Sequence, residues 1–281
     1  MPRVDVNRMS FYYEEDDFTD PWREEETVFI QHGFGRSSRF FYHWVPALAR
    51  DYKVIRRDMR GHGLSDDPPP GKWTIDQLVD DIVGFFDALK LDKVHYVGES
   101  AGGVMGVALA ARYPDRLKSL TLMSTPITDP TRGSGKMDFS NLADTISSMT
   151  IEDFTDVILK GRAIVAVSEG HERWMRAEWA KNRTESLTGM ARLFPEVDLA
   201  PVFPTLRVPV LLLSPANSHT TTLDDQKTIH SLTPGSRMEI IDGKGHEIYF
   251  EKADECLAAF TQFLASMKKD ARLDVSADVT P

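Results

Sequence analysis

Short apolar runs alternate with helical periodicities along the first half of the chain. The run TVFIQ at 27–31 reads as a strand, residues 40–50 as a helix, and KVIRRD at 53–58 as a second strand. Between 74 and 90 the apolar residues Ile75, Leu78, Val79, Ile82, Val83, Phe86 and Leu89 share one helical face, and the Thr74 hydroxyl is placed to cap it. Then follow a strand at 93–98, a helix at 101–112 and a strand at 117–124. Near-continuous apolar strands alternating with helices predict an α/β fold, a mostly parallel sheet flanked by helices on both faces. The alternation stops near Asp129. From there to Pro204 only helical periodicity is present. Strands return at 208–214 and 237–242, and a helix at 252–267 closes the pattern. The chain therefore divides into a core of 1–129 and 205–268, a helical insertion late in the sheet at 130–204, and a polar tail at 269–281 that reads as irregular.

Composition narrows the function classes. The 281 residues are 41% hydrophobic, enough for a sizeable core. The formal net charge of −10 repels phosphate backbones and anionic headgroups, so neither nucleic acid nor a membrane surface is an expected partner. The one cysteine, Cys256, lies in an apolar-periodic helix and reads as a small buried hydrophobe. The first residues carry no apolar leader, and no apolar run reaches the ~18 residues of a membrane span. The expectation is a cytoplasmic protein. His43, His171, His219 and His230 have no partner at metal-ligand spacing, and neither a metal nor another cofactor is expected. The oligomeric state is left open.

The chemistry concentrates at Gly98-Glu99-Ser100-Ala101-Gly102, directly between a predicted strand and a predicted helix. A chain turning that sharply passes through a strained position where bulky neighbours clash, so small residues flank it. The turn lifts the Ser100 hydroxyl off the sheet at a helix N-terminus. A serine hydroxyl is a poor nucleophile unless a base takes its proton. His246, in the Gly-Lys-Gly-His loop after the last strand, stands on the same edge of the sheet. After the first strand comes His32-Gly33-Phe34-Gly35. The Phe34 N–H and the Ala101 N–H are the candidates for an oxyanion hole. For each of these residues a purely structural role, as a tight turn or a loop residue, is the competing reading.

HGFG, DMRGHGLSD, GESAGG and GKGH, in that order, resemble the α/β-hydrolase superfamily, and more narrowly the small capped esterases and enol-lactonases. The resemblance spans nearly all of residues 25–268. It implies the α/β-hydrolase fold, a nucleophilic Ser100 with His246 as base, and a helical cap at 130–204 roofing the site. Relatives with an aspartate at the elbow are dehalogenases and epoxide hydrolases; serine at position 100 argues against both.

One part of the pattern is missing. The resemblance implies an acid just after the strand at 208–214, but the residues there are Pro215-Ala216-Asn217-Ser218-His219. The alternative position, at Ser124-Thr125, also lacks a carboxylate. Asn217 is the first candidate to orient His246 through its amide oxygen, as the asparagine does in cysteine proteases of the Cys-His-Asn kind. Asp129, Asp224 and Asp225 are the alternatives, and an absent orienting group is a further one.

The insertion carries Trp174 and Trp179 among Met175, Met190, Leu193 and Phe194. Such a stripe packs the insertion on the body, and the two tryptophans are the candidates to line an apolar pocket. The expected reaction is hydrolysis of a small apolar or aromatic carboxylic ester or lactone. Carbon–carbon or amide cleavage on the same constellation is the alternative. A ligand receptor built on a hydrolase scaffold is the reading from another class, sustained by the missing acid.

Overall fold

The computed structural model describes residues 2–126, 141–160 and 165–277, with side chains as far as 268. Eight strands form one sheet in the order β1-β2-β4-β3-β5-β6-β7-β8. They are β1 (Arg3–Val6), β2 (Met9–Asp16), β3 (Thr27–Gln31), β4 (Lys53–Arg57), β5 (Val94–Glu99), β6 (Leu117–Met123), β7 (Val210–Pro215) and β8 (Arg237–Ile241). From β4 to β8 along the sheet every neighbouring pair is parallel. The predicted strands from β3 to β8 are all present. The antiparallel hairpin β1–β2, absent from the sequence reading, extends one edge. Its signal was local. Asn7 and Arg8 both have positive φ (52° and 65°), the backbone of a type I′ two-residue turn.

The parallel strands are apolar on both faces because both faces are covered. Phe29, Ile55, Tyr96, Leu122 and Leu212 pack with α2 (Ile75–Ala88) and α3 (Ala101–Arg112) on one side. Val28, Ile30, Val54, Val97 and Leu213 pack on the other, with the C-terminal helix (Ala253–Ala277). Thr74 caps α2, its hydroxyl accepting from the Gln77 N–H at 3.2 Å. Two predicted helices differ in extent. Residues 38–44 form a 3₁₀ stretch, and regular helix begins only at α1 (Val45–Leu48), where Pro46 sits in the first turn and its missing N–H is harmless. The last helix continues to Ala277, through most of the segment expected to be irregular.

Between β6 and β7 lie four described helices: α4 (Leu142–Ser147), α5 (Ile151–Lys160), α6 (Glu169–Trp179) and α7 (Thr184–Leu193). They seat on the loops at the C-terminal edge of the sheet through close approaches to glycine. The Trp179 ring lies against Gly35 and the Ser186 side chain against Gly61, and Val165, ahead of α6, lies against Gly245, in each case where a Cβ would collide. Asn182 Nδ2 adds a hydrogen bond to the Gly35 carbonyl at 2.9 Å. The loop at 58–66 is tied to α2 by Arg60 and Asp81, both buried, which pair through two bonds of 2.6 and 2.8 Å.

Candidate active site

Register brings the candidate residues to one rim. Gln31 at the end of β3 lies beside Gly98 of β5, and Glu99 lies beside Met123 of β6. Pro215 at the end of β7 lies beside Ile241 of β8. The loops holding Gly33, Ser100 and His246 therefore leave the sheet at the same edge.

Ser100 follows β5 and precedes α3, with φ 51° and ψ −114°, a conformation rare for any side-chain-bearing residue. Its N–H is anchored to the Met123 carbonyl at 2.9 Å, and its carbonyl accepts from Gly103 and Val104. The flanking glycines permit the turn: a Cβ on Gly98 would meet the Gly102 backbone, and one on Gly102 would overlap the Gln31 carbonyl. Gly102→Ala is accordingly expected to destabilise the fold by about 1–3 kcal/mol through overpacking, measured by urea denaturation. Ser100 is partly exposed, and its hydroxyl has no hydrogen-bond partner among the described residues. Neither the Phe34 nor the Ala101 N–H donates to a described acceptor, so both sequence-predicted donors are uncommitted.

His246 is buried, and its carbonyl is held by the Ser124 hydroxyl at 2.7 Å. Its Nδ1 faces three hydroxyls: Thr220 at 2.7 Å, Thr221 at 3.2 Å and Ser218 at 3.4 Å. This corrects the expected orienting residue. The Asn217 side chain is exposed and turned away, its amide donating to Asp242 at 3.2 Å and to the Gly243 carbonyl at 2.9 Å. The later aspartates are engaged elsewhere. Asp225 forms a capping box with Thr222 at the start of α8 (Leu223–Leu232), and Asp224 pairs with Lys227 in solvent. Asp129 lies outside the described residues. A hydroxyl can accept from Nδ1–H and so leave Nε2 as the basic nitrogen. Thr220→Val removes the closest partner. It is expected to slow a serine-dependent reaction about tenfold, near the ~1.4 kcal/mol of one hydrogen bond, read as the rate of covalent modification of Ser100.

Charged side chains missed by the sequence reading lie under this rim. Arg36 Nε and Glu247 Oε1 are 2.5 Å apart with side chains only 6% and 4% exposed. The Tyr249 hydroxyl donates to the same oxygen at 3.0 Å, while Glu247 Oε2 has no partner among the described residues. The guanidinium also lies over the rings of Trp179 and Phe40, at 4.7 and 5.4 Å. Glu99 is buried too. Its Oε2 accepts from the Gly33 N–H at 2.7 Å, and its Oε1 stands 3.6 Å from His246 Nε2. Burial pushes the Glu99 carboxyl up to about 7; Arg36 and the Gly33 N–H oppose this, and Glu247 adds to it. Burial and, after it, the nearby Arg36 charge push His246 down to about 3, so its imidazole is neutral near pH 7.

The candidate pocket residues are packed. Trp179 is 1% exposed, enclosed by Gly35, Phe34, Arg36 and Phe154. Trp174 joins Phe40, Tyr42, His171 and Phe250 in an aromatic cluster. A groove of about 390 Å³ between residues 67–71 and α7 includes none of the candidate catalytic residues. Among the described residues no cluster of histidine, cysteine and carboxylates could hold a metal, and no helix is long and apolar enough to cross a membrane.

The strand order, the single antiparallel edge hairpin and the serine on a strained turn between β5 and α3 decide the fold. The chain has the α/β-hydrolase fold. The α/β hydrolase fold family matches residues 26–153. The enol-lactonase of Burkholderia xenovorans superposes with a TM-score of 0.83 at 25% identity, over 94% of this chain and all of that one. A thermophilic esterase from Thermogutta terrifontis superposes equally well at 21% identity, over 95% and 99%. In sequence, the N-formylmaleamate deformylase of Pseudomonas putida is 29% identical over 208 residues, 74% of this chain and 76% of the relative. The 2-hydroxymuconate semialdehyde hydrolase of a Pseudomonas strain reaches 39%, over only 38% of its own length. Fold, family and relatives together support a hydrolase acting on a small molecule, in a chain resembling small esterases and enol-lactonases.

Proposed function

We propose that the chain is a serine hydrolase that cleaves a small apolar or aromatic carboxylic ester or lactone through an acyl-enzyme. Ser100 Oγ attacks the carbonyl carbon while its proton passes to His246 Nε2. The carbonyl oxygen, now negative, is received by the Phe34 and Ala101 N–H groups. The proton on Nε2 then goes to the departing alkoxide, and water, deprotonated by the same nitrogen, releases the acid and restores Ser100. The observation that carries this reading is the strained Ser100, whose hydroxyl has no partner among the described residues, on the same rim as two backbone N–H groups that reach no described acceptor. The helices between β6 and β7 act in it as a roof.

The deformylase among the relatives favours amide cleavage as a second reading on the same constellation. Product analysis separates it from ester, lactone or carbon–carbon cleavage. The test of the shared mechanism is reaction with a fluorophosphonate, followed by peptide mass spectrometry. Modification at Ser100 is expected. An unmodified Ser100 would remove the acyl-enzyme and favour a ligand receptor.

A further inference from the structure

Any serine mechanism here must explain how an imidazolium forms at His246 with three hydroxyls on Nδ1 and no described carboxylate there. The described carboxylate that faces the ring lies on the other nitrogen. Glu99 Oε1 is 3.6 Å from Nε2, and both side chains are buried. The second Glu99 oxygen is fixed by the Gly33 N–H, one residue before the proposed oxyanion donor Phe34. Building on the proposed serine mechanism, we propose that Glu99 is a positioning residue whose ionised carboxylate frees His246 Nε2 for Ser100 and then stabilises the imidazolium.

The chemistry follows from one proton. A protonated Glu99 carries an O–H that donates to the Nε2 lone pair, which is then unavailable to the serine. An ionised Glu99 has no proton to give and repels that lone pair, leaving Nε2 to accept from Ser100 Oγ–H. Once the serine proton has moved to Nε2, a positive ring stands beside a negative carboxylate in a site from which water is largely excluded, where such a pair interacts strongly. The groups facing Glu99 set its balance. Burial and, after it, Glu247 oppose the charged form, while Arg36 and the Gly33 N–H favour it; the Tyr249 phenol is itself held protonated by burial and by the two glutamates. The folded-state value lies above the ordinary carboxyl value, so the charged, competent form is present above about pH 7 and is lost as pH falls through it.

The experiment is the second-order rate of Ser100 modification by a fluorophosphonate between pH 5 and 9, on the parent and on Glu99→Gln. In that reaction the Ser100 Oγ–P bond forms, the P–F bond breaks, fluoride leaves and the serine proton goes to Nε2. The parent rate is expected to rise with pH through neutrality. Glu99→Gln still accepts from Gly33 but has no negative charge; it is expected to react about 100-fold or more slower at pH 8, a smaller loss than the ~10⁴ of a fully removed triad acid, and to lose the neutral limb. An unchanged limb in Glu99→Gln, or a loss that is uniform at every pH, overturns the proposal while leaving the serine mechanism intact. A parent rate that is flat through neutrality overturns it even if the variant does not fold. Absence of modification in the parent defeats the serine mechanism itself, and this inference with it.

Discussion

Ser100→Ala is expected to lower turnover of any ester or lactone the protein hydrolyses by about 10⁶-fold, the scale on which a nucleophile acting as one unit with its base is lost. The fold should survive. Alanine at 100 keeps the backbone bond to Met123 and the helix start, and the hydroxyl it removes has no described partner. The measurement is kcat on an ester series, with matched thermal unfolding of parent and variant. The residual rate reports what the Phe34 and Ala101 donors achieve with water as nucleophile. Turnover within tenfold of the parent would mean that Ser100 is a turn residue and that the chemistry lies elsewhere.

The second large effect is on stability. Glu247→Leu leaves the Arg36 guanidinium buried without its 2.5 Å partner and is expected to cost about 3–5 kcal/mol. Removing both charges, in Arg36→Met with Glu247→Leu, should recover most of that loss, because a well-packed apolar pair avoids the desolvation that the ion pair must offset. Methionine also keeps some of the packing on Trp179 and Phe40. Urea denaturation of the parent, the single variant and the double variant closes the cycle. A double variant no more stable than Glu247→Leu would show that packing, not the unpaired charge, dominates.

Much of the fold was legible because short apolar runs and period-3.6 patterns are local. The strands β3 to β8 and the nucleophile turn announce themselves within a few residues. The helix α8 went unread: its mean apolar content is low and its start rests on a Thr222–Asp225 capping box. The candidate site was legible at Ser100, His246, Phe34 and Ala101 only as positions on one rim of the sheet, which strand–turn–helix context identifies. The partners of His246 were not. The position after β7 drew attention to Asn217, whereas the chain turns so that Ser218, Thr220 and Thr221 face the ring. The run Ser-His-Thr-Thr-Thr, with no acid in it, was the available signal. Arg36, Glu99 and Glu247 lie successively 63 and 148 residues apart in sequence, and no periodicity reports a meeting at that range.

The seat of Trp179 on Gly35 joins the insertion directly to the rim of the candidate site. The helical insertion is fastened to the turn that bears the Phe34 N–H, by an indole ring, by the Asn182 bond and by the Arg36 guanidinium beneath. Within the proposed mechanism the insertion and the turn carrying an oxyanion donor are thus one packed unit, so a substitution that loosens the Trp179 seat is expected to disturb the Phe34 N–H as well.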